Sequence, residues 1–406
     1  MDNGADILRR LAERVTKAAA QPENIHKRRL WSDCNNLRPQ RPVVFADPQN
    51  GWPELVPEDC LENTDPFLRG IERTLRRTVF RIEHIPDDYP VPDTLYVDLV
   101  VNNTGYGLEE RVTRAGQSDG AYHIEPSVAS FADIERLRPA ELTIDRALTG
   151  ERLQAARHIL GDILPVTVKG VDTCRCGLTR RLIHMRGLEN MYYDMYDSPE
   201  LVHRLMSFLR DQQLREYEFL EREGALFANN RPDYITGSGG LCYGTNLPET
   251  GTVGMRDMVV WGESQELSSV SPEQFEEFVF AYQKPVLERF GMVDYGCCEP
   301  LDQRFGLLIT SLPTLRWLAV SPWCDLKKAA EMIGNRYVYV YKPNPSFICG
   351  VQYDLDAAER QLAGTLDIAR RCAVQISMKD TSTFHGDPTR LTRWVNMALS
   401  LAEKGA

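Results

Sequence analysis

The 406 residues carry 47 Lys plus Arg against 58 Asp plus Glu, a net charge of −11, with 43% hydrophobic and 26% charged residues. That balance excludes wholesale disorder, and it leaves no basic stripe for a nucleic acid backbone or an acidic membrane surface. No apolar run is long enough to cross a bilayer, and residues 1–14 form an amphipathic stretch with acids rather than a secretory signal, so a cytoplasmic location is expected.

In chain order, short runs of β-formers predict strands over 42–46, 95–101, 164–168 and 234–236. Ser198-Pro199-Glu200 opens a long helix that Gly224 stops. Ser271-Pro272-Glu273-Gln274 reads as a capping box, with Phe275, Phe278, Val279, Tyr282 and Val286 as a core-facing stripe behind it. From there the pattern alternates strictly. Strands are expected over 292–298, 316–320, 337–341 and 373–378, with helices over 302–311, 325–333 and 354–370. A last helix opens at Asp387-Pro388. Successive β/α units imply parallel strands with right-handed crossovers. The expected fold is α/β: a (β/α)8 TIM barrel over 41–406, preceded by an α-helical N-terminal extension over 1–40. A doubly wound open sheet competes, but Gly237-Ser238-Gly239-Gly240 lacks the spacing of a dinucleotide turn.

Ten cysteines in such a chain are expected as reduced thiols, each by default a small buried apolar residue. No C-x-x-C occurs, which leaves two local pairs, Cys174-x-Cys176 and the adjacent Cys297-Cys298. In a parallel barrel, reactive groups lie where strands end. Those ends read Tyr295-Gly296-Cys297-Cys298-Glu299, Trp323-Cys324-Asp325, Lys342-Pro343-Asn344 and Lys379-Asp380. Two thiolates and a carboxylate are a donor set suited to Zn²⁺, with His385 as a candidate further ligand. The alternative is that one cysteine packs inward and the other outward, as neighbours on a strand do. Lys342, Lys379 and Asp380 read either as ion pairs or as substrate anchors. Asp47 and Asp98 read as substrate contacts, helix caps or buried acceptors. His158, His184 and His203 fall on predicted helices and read as surface or satisfied side chains. No H-E-x-x-H, P-loop or G-x-S-x-G is present.

Several segments resemble the uroporphyrinogen decarboxylase superfamily. They are Gly177-Leu178-Thr179, the run from Arg186 to Asp194, Ser198-Pro199-Glu200-Leu201-Val202-His203, and Ser271-Pro272-Glu273-Gln274-Phe275 with Lys284-Pro285-Val286. The similarity covers roughly residues 160–400 and implies a (β/α)8 barrel. The decarboxylases themselves carry an arginine-rich N-terminal motif that this chain lacks. The corrinoid-dependent methyltransferase branch carries zinc in an H-x-C…C arrangement. Tyr295-Gly296-Cys297 stands at what looks like the H-x-C position, and Ser377 with Lys379-Asp380 stands near the second cysteine. The resemblance therefore implies a substitute zinc set of Cys297, Cys298, Glu299 and a ligand from another loop.

The first functional expectation is a methyltransferase moving a methyl group between a small O-, N- or S-methyl compound and a corrinoid carrier protein, with zinc assisting. Cobalamin would come only with that carrier. Glu299, Lys379 and Asp380 would be catalytic; Asp47, Tyr295, Trp323, Lys342 and Asn344 would hold substrate. A metal-free lyase using Lys379 or Lys342 against a substrate carboxylate, and Asp380 for the proton, is the alternative. A binding module without turnover is the third. A second copy of the chain is an open partner; nucleic acid and membrane are not.

Overall fold

In the computed structural model, which describes residues 3–108, 111–114 and 122–404, the runs of β-branched and aromatic residues form seven parallel strands. These are β1 (Val43–Ala46), β2 (Arg175–Cys176), β3 (Val259–Gly262), β4 (Met292–Tyr295), β5 (Leu315–Val320), β6 (Val338–Tyr341) and β7 (Ala373–Met378). Their spatial order is β1-β7-β6-β5-β4-β3-β2, so the first strand pairs with the last and each later strand neighbours the next. Every residue of β1, β3, β6 and β7 is buried, as helices on the sheet's outer face and side chains filling its inner face require.

The α/β class holds, but the hydrogen-bonded ladder is open and seven-stranded rather than a closed ring of eight. Both free edges are closed by side chains. Along β1, the Val44 and Ala46 amides donate to the carboxylates of Asp88 and Asp87, each at 2.8 Å. At the other edge, the Tyr217 hydroxyl accepts from Arg175 N at 2.6 Å and donates to Arg175 O at 2.8 Å. These groups satisfy backbone donors and acceptors that a further strand would otherwise take. The residues expected to supply the missing strands pair elsewhere. Leu95–Asp98 and Val166–Lys169 make their own parallel ladder, and 234–236 gives only an isolated bridge between Ile235 and Leu241. β2 and β3 were not expected.

Two helices, Asn3–Ala19 and Pro22–Asn35, precede the first strand. The second helix reaches into the core. Trp31 is fully buried and donates its indole N–H to Asp88 O at 2.8 Å. Asn35 is also fully buried; its amide donates to Leu241 O and Tyr243 O while its oxygen accepts from Trp317 and Gln375. The capping box expected at Ser271 forms, and Asp325 and Asp354 likewise accept from backbone amides at their helix starts.

Asp88 is the most heavily used of these groups, because it also takes a bidentate contact from Arg41 at 2.7 and 2.8 Å. Asp88→Ala strands a buried amide and a largely buried guanidinium. It is expected to lower unfolding free energy in urea by about 3 kcal/mol or more. Asp88→Asn, which keeps one acceptor on Val44, is expected to cost clearly less. Equal losses would contradict the edge-capping role.

Candidate functional site

Because all seven strands run the same way, the residues that follow them share one rim of the sheet. There Cys298, Trp323, Lys342, Asn344 and Asp380 line a cleft of about 500 Å³. A larger groove of about 1020 Å³ runs between outer helices along Lys327, Glu331, Asp367 and Arg371. Its thiol, Cys372, is pushed up to about 11 by burial, so it offers no ready nucleophile.

The cleft's chemistry is set by the turn after β4. Gly296 has φ +107°, and a Cβ there would come within 2.8 Å of Leu301 and Ala319. Only glycine takes that conformation in that space. The turn swings the chain out of the strand, so the two cysteines no longer point to opposite faces. Their sulfurs lie 3.5 Å apart. Glu299 anchors the turn from below: one oxygen accepts from Cys297 N at 2.8 Å and the other from Ser264 N at 3.0 Å.

Cys297 is buried and faces two buried lysines. Lys379 Nζ donates to its sulfur at 3.2 Å, and Lys342 Nζ donates to its carbonyl oxygen at 2.6 Å. The hydrogen bond from the Cys298 thiol, with the charges of Lys342 and Lys379, holds the Cys297 thiol well below its ordinary range despite burial. Cys298 moves the other way, raised by its contact with Cys297 and by burial, and lies 2.9 Å from Asp380 Oδ2. Burial works against the Lys379 ammonium, yet Cys297, Cys298 and Asp380 together raise it. Lys342 is lowered, by burial first and then by Lys379. The Cys297 sulfur is thus biased toward the thiolate, with a committed cation beside it and a second, more acidic ammonium behind.

Zinc was expected here, and the donors do not fit it. Both Glu299 oxygens are committed to backbone amides. His385 sits on an exposed loop, with Nε2 3.0 Å from Cys349 O. The Lys379 ammonium already occupies the cation's place beside Cys297. Among the described residues, no three His, Cys, Asp or Glu side chains are grouped to hold an ion. Cys174 and Cys176 are fully buried, with Cys174 against the Met258 sulfur and Cys176 against Gln283 O.

Of the other expected substrate residues, Trp323 is 65% exposed at the cleft, and Lys342 and Asn344 also line it. Tyr295 does not. Its ring is fully buried and its hydroxyl donates to Gln283 at 2.6 Å. Asp47 caps its own loop, accepting from Gln49 N at 3.2 Å, and Asp98 pairs with Lys169 at 3.2 Å. Sequence reasoning missed Asp294, whose signal was a lone carboxyl inside the apolar run Met292-Val293-Asp294-Tyr295. Its side chain is fully buried and Oδ1 has no hydrogen-bond partner. Burial lifts its carboxyl to about 7, with Lys342 and Lys379 offsetting only part of the rise.

No protein-family model matches the chain, and no curated protein matches it. Among solved structures it is similar to a methyltransferase from Methanosarcina mazei, with 11% identity and a TM-score of 0.44 over 92% of this chain and 97% of that one. No helix among the described residues is long and apolar enough to cross a membrane.

The Asp294 carboxyl gives the site a pH signature. Below about pH 4 it is protonated in both folded and unfolded chains; between there and about pH 7 only the folded chain holds the proton. Its contribution to stability is therefore lost as pH rises through that window. Urea unfolding at a series of pH values should show Asp294→Asn gaining on the natural protein as pH rises, by roughly 2–4 kcal/mol in total. A relative loss over the same window would mean that the carboxylate is a salt bridge instead.

Proposed function

We propose that this chain is a small-molecule enzyme of the methyl-transfer class in which the Cys297 thiolate, rather than a metal ion, takes the methyl group. The observation that carries the reading is the contact between the Cys297 sulfur and the Lys379 ammonium, 3.2 Å apart, beside a cleft large enough for a small substrate. Burial strips water from the sulfur, which lies just behind Cys298 of the cleft wall, and two fixed ammonium groups favour its anionic form. We also read the sheet as a barrel with one seam closed by side chains, since its first strand lies beside its last.

The reaction follows from these groups. An O-, N- or S-methyl compound enters with its apolar part against Trp323 and its polar part on Asn344. The thiolate attacks the methyl carbon in line with the bond to the heteroatom. A sulfur–carbon bond forms, and the old bond's electron pair leaves with the heteroatom. Losing the sulfur's negative charge makes two buried ammonium groups untenable together. Lys342, the more acidic of them, gives its proton to the departing group. The methyl group must then leave the sulfur for a nucleophile brought to the Trp323 rim. A corrinoid carrier protein is the acceptor class that the resemblance implies.

The same lysines suit a metal-free lyase, with a substrate carboxylate on Lys342. The two readings separate cleanly. Incubation with a panel of O-, N- and S-methyl compounds, followed by peptide mass mapping, should show one added methylene on the Cys297 peptide and none in Cys297→Ser. Carbon dioxide release from a carboxylated compound with Cys297 unmodified would overturn methyl transfer in favour of the lyase.

A further inference from the structure

The adjacent thiols do more than share a hydrogen bond. Of the ten cysteines, Cys34, Cys174, Cys176 and Cys242 are sealed in the core, each thiol pushed up by burial. Cys297 and Cys298 are different in three ways. Their sulfurs are 3.5 Å apart, one faces a lysine ammonium and the other an aspartate oxygen, and Cys298 reaches the cleft. They lie on the turn that Gly296 takes out of the sheet, so their peptide is free of the strand ladder.

We propose that Cys297 and Cys298 are a modification site for hydroperoxides, which close the pair into a reversible disulfide between neighbouring residues. The Cys297 thiolate attacks the outer peroxide oxygen. The O–O bond breaks, and the alkoxide or hydroxide that leaves takes a proton from solvent or Lys342. Sulfur is oxidised by two electrons to the sulfenic acid and the peroxide is reduced to alcohol or water. Cys298 then attacks that sulfur, its proton passing by way of the Asp380 carboxylate to the departing hydroxide. The S–S bond forms and water leaves.

The geometry sets how stable that bond is. Neighbouring Cα atoms across a trans peptide are about 3.8 Å apart, shorter than the roughly 4.4–6.8 Å that ordinary disulfides span. The closed pair is therefore strained, and strained disulfides have oxidising potentials and reduce readily. Closure ties up the nucleophile and protects it from irreversible oxidation to the sulfinic acid. It rests on the same anionic sulfur and neighbouring Lys342 as the proposed function, but its test uses no methyl donor.

The full chain, freshly reduced and desalted, is treated with a single equivalent of hydrogen peroxide and mapped by peptide mass. The peptide holding Cys297 and Cys298 should lose two hydrogens, lose iodoacetamide labelling, and recover both with dithiothreitol. In Cys298→Ser the sulfenic acid on Cys297 should persist and be captured by dimedone, whereas the natural protein should give little adduct. Equal dimedone capture in the two proteins, or conversion of Cys297 to sulfinic acid with no loss of two hydrogens, would overturn the proposal.

Discussion

Two lysine ammonium groups at the end of a buried parallel sheet have no place there unless something anionic meets them. Lys342 and Lys379 keep only 2% and 4% of their surface. Desolvating an ammonium costs several kcal/mol even after relaxation, and two side by side repel each other as well. The carboxylates nearby divide unevenly. Asp380 pairs with Lys379 at 3.6 Å but is half exposed, Glu299 is tied to backbone amides, and burial lifts the Asp294 carboxyl to about 7. The buried group left to add compensating charge is Cys297, whose sulfur takes Lys379 and whose carbonyl oxygen takes Lys342. Its ionisation makes the burial of the lysines tolerable, and their burial keeps the sulfur ionised.

The scaffold delivers that balance through two devices. Gly296 breaks the strand at the point where both sulfurs must face one side, and Glu299 locks the broken turn by taking the Cys297 and Ser264 amides. Behind them, Arg304 donates to Ser264 Oγ at 2.8 Å and Tyr295 to Gln283 at 2.6 Å, so the rim is fixed by hydrogen bonds from β3 and β4 outward. At the sheet's edges, Asp87, Asp88 and Tyr217 do with side chains what an extra strand would do with backbone. The ladder can therefore stop without exposing unpaired amides.

The later strands were legible because each is an apolar run bounded by a turn and followed by a helical stretch. β5 was expected over 316–320 and spans Leu315–Val320, and β7 spans Ala373–Met378 as expected. β2 and β3 were not, since a two-residue strand carries no period and Val259-Val260-Trp261-Gly262 lacks capped neighbours that would frame it. The apolar run at 95–98 was real but paired outside the sheet, a choice made by tertiary packing that no local pattern records. At the site, the cysteine pair and both lysines were visible as strand ends. Their roles were not, because a metal-ligand reading of Cys297 and Cys298 depends on what stands opposite, and Lys379 lies more than eighty residues away. Asp294 was hidden inside its strand, and Tyr295 looked like a cleft wall until the turn at Gly296 carried the rim past it.

The charge state of one sulfur is thus the central claim, and it can be read directly. Ultraviolet absorbance of thiolate, followed against pH in the folded protein, should show one sulfur ionised well below the ordinary thiol range. That component should vanish in Cys297→Ser and shift upward in Lys379→Met. A titration in which every accessible thiol ionises at or above the ordinary value, unchanged by Lys379→Met, would contradict the account.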